Sequence, residues 1–250
     1  MKLVNKFLKP FGLKLFPLKD ANISFLDIDD KIFWELYDKV KDYTMVSIPN
    51  LYALYSSVKY IVENNIEGDL VECGVWRGGC SMMMALTLGH YKNTNRIIYM
   101  YDTFEGMSEP TLNDKDVNNT TAKDYLDVSE SDKNITWCIA NIDDVKNNIS
   151  KTNYPLENLK LIKGKVEDTL KIQIPLNNLA LLRLDTDWYE STKMELEILY
   201  PKLNKQGILI IDDYGHWLGA RKAVDEYFTY NKNTLLLNRV DYTCRLGLKN

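Results

Sequence analysis

Residues 179–212 read LALLRLDTDWYESTKMELEILYPKLNKQGILIID. Two apolar runs, LALLRLD and GILIID, lie on either side of a segment, STKMELEILYPKL, whose pattern suits a helix. Strands that are apolar on both faces and alternate with helices are typical of a parallel sheet that is covered on both sides. The stretch therefore predicts a strand–helix–strand unit of an α/β fold.

The same alternation extends over most of the chain. Strand patterns occur in GDLVECG, RIIYMYD and LKLIKG, and helical patterns occur in NLYALYSSVKYIVENN, GGCSMMMALTLGH and GARKAVDEYFTY. In the tail, TLLLNRVDYTCRLGLK, two strand-like runs are separated by too few residues for a helical crossover, so they should pair as an antiparallel hairpin. We expect an open, mainly parallel sheet that ends in a C-terminal antiparallel hairpin.

Composition narrows the class of protein. The 250 residues, 45% of them hydrophobic, suffice for one domain with a sizeable core. A net charge of -4 argues against a general affinity for nucleic acid, and no apolar run is long enough to insert stably in a membrane. The 4 cysteines lack CxxC spacing, which favours reduced thiols in a cytoplasmic protein, with neither a disulfide framework nor a zinc site.

We expect the chain to have two parts. Residues 1–48 form a basic and apolar N-terminal arm or cap, and residues 49–250 form the α/β domain. The arm is predicted to pack on the domain or on a partner subunit, which favours a homodimer or a larger homo-oligomer; transient contact with an anionic membrane is the alternative. Residues 105–131 are polar, acid-rich and weakly patterned, so they are predicted to form a lid rather than a disordered loop.

Four aspartates follow the last two apolar runs. Ligands of open α/β sheets bind beyond the carboxyl ends of the strands, and Asp185, Asp212 and Asp213 would supply there the oxygen ligands that Mg²⁺ prefers. Without a cation, three carboxylates held together would repel one another. Asp187 lies two residues after Asp185, on the same face of an extended chain, where it could act as a general base. Helix capping is the alternative, but it explains these acids only singly.

The first two strand patterns end in a second set of polar and glycine residues. Gly74, Gly78 and Gly79 lie in VECGVWRGG and would let the backbone approach a ligand, although their spacing is not the GxGxxG fingerprint. Asp102 could accept hydrogen bonds from the hydroxyls of a ribose, with a helix N-cap or a solvated loop acid as the alternative. Glu72 would be costly to bury without a cationic partner such as an ammonium group.

The motifs resemble the macrocin O-methyltransferase family, metal-dependent enzymes that methylate sugar hydroxyls. The similar blocks are YTMVSIPNLYALYSSVKYIVENN, GDLVECGVWRGG, YDTFEGMSEPT, GKVEDTL, LLRLDTDWYEST and GILIIDDYGHWLGARKAVDEYF, which together span nearly all of the chain after residue 40. The resemblance implies a Rossmann-like class I methyltransferase fold with a seven-stranded sheet. It also implies S-adenosylmethionine and Mg²⁺ as cofactors and a sugar-containing small molecule as the acceptor.

The resemblance assigns roles to individual residues. Glu72 and the glycine turn would hold the methionine moiety of the cofactor, Asp102 its ribose, and Glu167 with Asp168 the edge of its adenine. Asp187 would be the catalytic base of an in-line methyl transfer. The implied cofactor-binding residues are Met45, Glu72, Gly74, Gly78, Gly79, Ser81, Asp102, Phe104, Glu167, Asp168 and Asp185, and the implied Mg²⁺ ligands are Asp185, Asp212 and Asp213.

Two other functions are compatible with parts of the pattern. A non-catalytic S-adenosylmethionine-binding scaffold would keep the fold, but it would not need Asp187 beside the metal ligands. A haloacid dehalogenase-type phosphatase also carries a DxD after an apolar strand, but Tyr189 and the single helix between the two acid motifs argue against that class. The arm and the stretch TLNDKDVNNTTAKDYLDV within the predicted lid offer no clear match to the family, which leaves the acceptor open between a glycosylated metabolite and a glycan precursor.

Overall fold

A computed structural model describes residues 25–131, 138–172, 177–232 and 234–250, without the side chains of residues 128–131. The chain divides into two units, Met1–Glu35 and Leu36–Asn250, and the second unit contains the sheet. Residues 1–24, half of the predicted N-terminal arm, lie outside the described residues. The predicted boundary at residue 48 stays a prediction.

Helices and strands alternate along most of the second unit. The helices are α1 (Lys31–Val40), α2 (Ile48–Glu63), α3 (Gly79–His90), α4 (Ala122–Ser131), α5 (Ile142–Ser150), α6 (Val166–Thr169), α7 (Tyr189–Leu199) and α8 (Leu218–Tyr230). The strands are β1 (Asp69–Cys73), β2 (Ile98–Asp102), β3 (Leu159–Lys163), β4 (Leu179–Leu184), β5 (Leu203–Ile211), β6 (Asn238–Arg239) and β7 (Arg245–Leu248). Within the described ranges, no helix combines the length and apolarity needed to cross a membrane.

The seven strands form one sheet in the order β3-β2-β1-β4-β5-β7-β6. Strands β1 to β5 are parallel, and β7 pairs antiparallel with both β5 and β6. The expected mainly parallel sheet with a C-terminal antiparallel hairpin is therefore confirmed. The register places Cys73, Leu184 and Ile211 side by side, so the residues that follow β1, β4 and β5 emerge at the same edge.

The central strands are buried because helices cover them. All six residues of β4 are buried, and so are Leu70–Cys73 of β1. Val71 and Leu182 of the sheet belong to one core cluster with Leu196 of α7 and Val224 of α8. Burying a leucine or valine side chain fully stabilises the fold by about 1.5–3 kcal/mol. A strand that is covered on both faces therefore favours apolar residues at every position, and this is why continuous apolar runs predicted these strands correctly.

Side-chain caps mark the start of helices α2 and α5. At α2, the Ser47 side chain accepts a hydrogen bond from the Asn50 N–H, and a proline occupies the first turn. At α5, the Asn141 side chain accepts bonds from the N–H groups of Asp143 and Asp144. The sequence pattern did not predict α5, because only three of its nine residues are buried and its apolar signal is correspondingly weak.

The insertion at residues 105–131 is folded against the sheet domain. The buried Asp114 accepts a hydrogen bond of 2.7 Å from the Tyr189 N–H at the start of α7. The Trp188 ring nitrogen donates to the Ser108 carbonyl at 2.9 Å, and Asp116 forms a β-bridge with Trp217. The segment ends in α4, and its role as a lid stays a prediction.

Candidate active site

One cavity of about 600 Å³ opens at the carboxyl ends of the parallel strands. This volume lies within the usual range of small-molecule sites. The cavity extends from the glycine turn after β1 to the acids after β4 and β5. The predicted residues that line it are Met45, Glu72, Gly74, Gly79, Asp102, Glu167, Asp185, Asp187, Asp212 and Asp213.

The glycine turn brings two backbone segments into close approach. Gly74 has a φ of 83°, and a Cβ atom at this position would lie 1.8 Å from the carbonyl oxygen of Asp185. A Cβ atom at Gly79 would lie 2.5 Å from the carbonyl oxygen of Tyr43. Gly78 has a φ of 89° and caps α3, but it is not among the residues that line the cavity. Side chains at Gly74 and Gly79 would clash with these backbone atoms, so the two glycines are what allow the turn to pack closely against its neighbours along the cavity.

Glu72 lies at the floor of the cavity and is only 1% exposed. Its Oε1 accepts a hydrogen bond of 3.0 Å from Nη1 of Arg183, and its Oε2 accepts one from the Ser81 hydroxyl. Burial raises the pKa of Glu72 to about 7, although Arg183 and Ser81 both act to lower it. The expected cationic partner of this buried acid is therefore an arginine from the neighbouring strand.

Asp102 ties the end of β2 to the glycine turn. Its Oδ2 accepts hydrogen bonds from the N–H groups of Val75 at 2.7 Å and Trp76 at 3.0 Å, and its Oδ1 accepts one from Phe104 at 2.6 Å. Trp76 and Phe104 have positive φ angles of 46° and 54°, so both turns are tightly constrained. Asp102 is thus neither a helix cap nor a solvated loop acid, and it still lines the cavity.

The other predicted cofactor residues occupy different positions. Met45 lines the cavity but is 61% exposed. Glu167 lines the cavity and accepts a hydrogen bond of 2.6 Å from the Ser191 hydroxyl of α7. Asp168 is exposed, and Asp168, Phe104 and Ser81 are absent from the lining of the cavity. The individual cofactor contacts stay predictions.

The three predicted metal ligands come together at the other end of the cavity. Asp185, Asp212 and Asp213 each offer one carboxylate oxygen, and these oxygens lie within 4.8 Å of one another. Burial raises the pKa of Asp185 to about 6 and that of Asp212 to about 8; repulsion from neighbouring acids adds to both shifts, while the charge of Arg183 lowers both pKa values. Burial and the nearby Asp187 and Asp212 raise the pKa of Asp213 well above its ordinary value. The protein therefore holds these carboxylates together at a cost that a cation would relieve.

The donor atoms of this cluster fit a hard divalent cation. The three candidate ligands are all carboxylates, the donor type preferred by Mg²⁺. Arg183 engages Oδ2 of Asp185 and Oδ1 of Asp212, and the backbone N–H of Asp187 donates to Oδ2 of Asp213 at 3.1 Å. These donors fix the orientation of all three carboxylates, and one oxygen of each lies close enough to the others to share a cation.

Asp187 lies in the same cavity, but its backbone conformation differs from the one predicted from the sequence. Strand β4 ends at Leu184, and Asp187 has a left-handed φ of 65°, so the assumption of an extended chain through Asp187 was wrong. Burial raises the pKa of Asp187 to about 7, with a further contribution from the charge of Asp185. A carboxylate with such a pKa can exchange a proton near neutral pH.

Sequence reasoning missed several polar residues of this site, and three of them show why. Arg183 is fully buried among the acids, Asn50 donates its side-chain amide to Asp212, and the Cys138 thiol lines the cavity. An arginine inside an otherwise apolar strand was a usable signal, because a buried charge requires partners. Neither Asn50 nor Cys138 lies in a pattern that indicates a site.

Comparisons with known proteins identify the family of the chain. The sequence model of the family described as Macrocin-O-methyltransferase (TylF) matches residues 38–246. The demethyldecarbamoylnovobiocin O-methyltransferase of Streptomyces niveus is 33% identical over 189 residues, which cover 74% of this chain and 67% of that protein. The 8-demethyl-8-(2,3-dimethoxy-alpha-L-rhamnosyl)-tetracenomycin-C 4'-O-methyltransferase of Streptomyces olivaceus is 34% identical over 185 residues, with coverage of 74% and 67%.

The fold is also that of a solved methyltransferase. The structure of the O-methyltransferase NovP superposes with a TM-score of 0.72 at 29% identity, over 83% of this chain and 82% of that one. The family match, the curated relatives and the superposition all point to one family of enzymes. The chain therefore belongs to the macrocin-O-methyltransferase (TylF) family, and it is an O-methyltransferase with the class I, S-adenosylmethionine-dependent fold.

Proposed function

We propose that the protein transfers the methyl group of S-adenosylmethionine to a hydroxyl of a sugar and that it requires Mg²⁺ or a similar divalent cation. The observation that carries the proposal is a single cavity that joins the glycine turn after β1 to the cluster of Asp185, Asp187, Asp212 and Asp213. One cavity can thus hold a methyl donor at one end and an activated hydroxyl at the other. A displacement reaction needs this proximity and alignment.

The cofactor end would hold the donor through charge and backbone contact. Glu72 would attract the ammonium group of the methionine moiety, and the turn at Gly74 and Gly79, which lines the cavity, would contact it through backbone atoms. Asp102 would accept hydrogen bonds from the ribose through the lone pairs that its three backbone donors leave. When bound, S-adenosylmethionine would supply the methyl group from its sulfonium sulfur. Glu167, which also lines the cavity, would meet the adenine edge.

The acid end would activate the acceptor. Asp185, Asp212 and Asp213 would hold the cation, which when bound would lower the pKa of a hydroxyl. Asp187 would remove the hydroxyl proton, and its pKa of about 7 suits a base that works near neutral pH. The Asp187 N–H donates to Asp213, so this bond keeps the base beside the ligand cluster.

An aromatic wall at the acid end supports a sugar as the acceptor. His216, Trp217 and Tyr242 line the cavity, with the rings of His216 and Trp217 centred 4.9 Å apart and His216 Nδ1 3.1 Å from the Tyr242 hydroxyl. Such rings can pack against the apolar face of a sugar while their polar atoms meet its hydroxyls. The relative from Streptomyces olivaceus is named for a rhamnosyl substrate. We therefore propose a glycosylated metabolite or a glycan precursor as the acceptor.

The variant Asp187→Asn tests the proposed base and distinguishes an enzyme from a non-catalytic scaffold. Asparagine keeps the shape of the side chain but cannot take the proton, so kcat should fall about 10²–10⁴-fold. Affinity for S-adenosylhomocysteine, measured by calorimetry, should stay within a factor of two or so, on the expectation that Asp187 contacts the acceptor rather than the cofactor. Asp143→Asn removes a carboxyl group that is 86% exposed and serves as the matched control.

Three results would contradict the proposed function. The first is an Asp187→Asn variant that methylates as fast as the unaltered protein. The second is unaltered protein that stays fully active when a chelator removes divalent cations. The third is purified protein that methylates catechols but no sugar, which would refute the proposed acceptor class while leaving the methyl transfer intact.

A further inference from the structure

Arg183 connects the two ends of the cavity. It is the fifth residue of β4, and its side chain is fully buried. Nη1 lies 3.0 Å from Oε1 of Glu72 and 2.5 Å from Oδ2 of Asp185, and Nη2 lies 3.0 Å from Oδ1 of Asp212. One guanidinium group therefore contacts an acid at the cofactor end and two acids at the metal end.

The three acids come from different parts of the sheet. Glu72 belongs to β1, Asp185 follows β4, and Asp212 follows β5. Among the residues that the structure describes, Arg183 forms an ion pair with each of these three acids. A guanidinium group is planar and carries five donors in a fixed arrangement, so it can hold several carboxylates in set directions. A lysine ammonium group on a flexible stem cannot reproduce this arrangement.

Two of these acids each accept a hydrogen bond from a further side chain. The buried Ser81 hydroxyl of α3 donates to Oε2 of Glu72, and the buried Asn50 amide of α2 donates to Oδ1 of Asp212. Ser81 therefore bears on the cofactor end alone, and Asn50 bears on the metal end alone. These two residues allow each end of the site to be disturbed separately.

We propose that Arg183 is a positioning residue shared by the two ends of the site: it fixes Glu72 for the cofactor and Asp185 and Asp212 for the cation. This inference rests on the proposed function. Arg183 engages one oxygen of each aspartate and so fixes the orientation of both carboxylates, which would hold the cation. Residues that orient ligands in this way typically change metal affinity about 10–100-fold when they are replaced.

Binding measurements on three variants test the shared role. Calorimetry with S-adenosylhomocysteine in the presence of a chelator reports on the cofactor end, and titration with Mn²⁺ in the absence of cofactor reports on the metal end. Arg183→Lys should weaken both interactions by at least about tenfold. Ser81→Ala should weaken only the binding of S-adenosylhomocysteine, and Asn50→Ala should weaken only the binding of Mn²⁺. All titrations are made well below the unfolding midpoint of each variant, so a loss of stability alone would move neither affinity.

A second variant guards against a folding defect. Arg183→Gln removes the charge but keeps an amide donor, and circular dichroism checks the fold of both Arg183 variants. If a folded variant loses affinity for one ligand alone, or for neither, the shared role is wrong even though the unaltered protein binds both. If neither variant folds, Arg183 is a structural residue and the inference is overturned. If the unaltered protein binds neither ligand, the proposed function fails together with this inference.

Discussion

Gly74 lies where β1 turns into the cavity, and the structure leaves no space for a side chain there. Its φ of 83° is rare for other residues, and an added Cβ atom would lie 1.8 Å from the Asp185 carbonyl oxygen, which belongs to the backbone and cannot move freely. We predict that Gly74→Ala lowers the free energy of unfolding by more than about 2 kcal/mol and weakens cofactor binding. Urea unfolding and calorimetry with S-adenosylhomocysteine measure the two effects.

Gly89 provides the matched control for that substitution. It lies in α3, and an added Cβ atom at this position would meet no atom within 4 Å. Gly89→Ala should raise the free energy of unfolding by up to about 1 kcal/mol, because alanine favours the helix. If Gly74→Ala were as stable as the unaltered protein, the close approach between Gly74 and Asp185 would not exist in solution.

Glu195 is a buried acid that gives a prediction about pH. It is 0% exposed, and its Oε1 accepts a hydrogen bond of 3.0 Å from the Thr186 hydroxyl. Burial raises its pKa well above the ordinary value; Glu167 and Asp213 raise it further, while Thr186 and Cys73 lower it. The pKa in the folded state thus exceeds the value of about 4.3 for an unfolded chain. The contribution of Glu195 to stability is therefore complete below about pH 4.3 and is lost as the pH rises.

The variant Glu195→Gln should remove this loss. Its free energy of unfolding should rise relative to the unaltered protein by up to about 1.4 kcal/mol per pH unit above pH 4.3, since the amide can still accept the Thr186 bond without being ionised. Urea unfolding at pH 5 and pH 8 measures the difference. Glu197→Gln, at an exposed position of the same helix, controls for the loss of a carboxyl group from α7. A difference that is equal at both pH values would contradict the prediction.

The residue scale also shows where sequence reasoning stopped. The acids after β4 and β5 were predictable because parallel strands bring their carboxyl ends to one edge. Arg183 was not predicted, because the motif that indicates a site consists of the acids beyond the strand, whereas Arg183 lies within the strand. The left-handed backbone of Asp187 was equally hidden, since an aspartate carries no local pattern that reports its φ.

At the scale of elements, the insertion is held to α7 by Asp114. This fully buried carboxylate accepts hydrogen bonds from the backbone N–H of Thr111 at 2.6 Å, from its hydroxyl at 2.8 Å, and from the N–H of Tyr189 at 2.7 Å. We predict that Asp114→Ala lowers the free energy of unfolding by about 1–3 kcal/mol, because it leaves buried donors without an acceptor. Hydrogen exchange should quicken at the first turn of α7 and in residues 105–131.

Asp127 is the control for the Asp114 substitution. It lies in α4 of the same insertion, but its side chain is 59% exposed and its ion pair with Lys123 spans 3.6 Å. Asp127→Ala should change stability by less than about 0.5 kcal/mol, as is usual for exposed ion pairs. Unchanged exchange in the Asp114 variant would mean that the insertion is held by other contacts, such as the bond from Trp188 to Ser108.

Elements were predicted well where burial dominates and poorly where it does not. The strands β1, β2, β4 and β5 carry long apolar runs, since both of their faces are covered. Strand β6 has two exposed residues, and its pairing depends on β7 rather than on its own sequence. The sequence did not predict α4 of the insertion, because this helix carries few apolar residues and is ordered by the packing of Ala122 and Tyr125 against Trp217.

At the scale of the whole molecule, the fold and the family were within reach of the sequence, whereas the coupling between the ends of the site was not. Sheet topology follows from the order of strand and helix patterns, which is a property of long segments. The contacts among Glu72, Arg183 and Asp212 join residues far apart in the chain, and only the folded sheet brings them together. These long-range ion pairs therefore could not be predicted from the sequence.

Ligand binding should stabilise the molecule as a whole, because both ends of the site join several strands. S-adenosylhomocysteine at 100 times its Kd should add about 2.7 kcal/mol, which corresponds to a rise in Tm of about 5–10 °C for a domain of this size. Saturating Mg²⁺ should raise Tm as well. In Asp213→Asn the shift with Mg²⁺ should disappear while the shift with S-adenosylhomocysteine remains, because Asp213 belongs to the acid cluster. Differential scanning fluorimetry measures both shifts; an equal shift with Mg²⁺ in the variant would place the cation elsewhere.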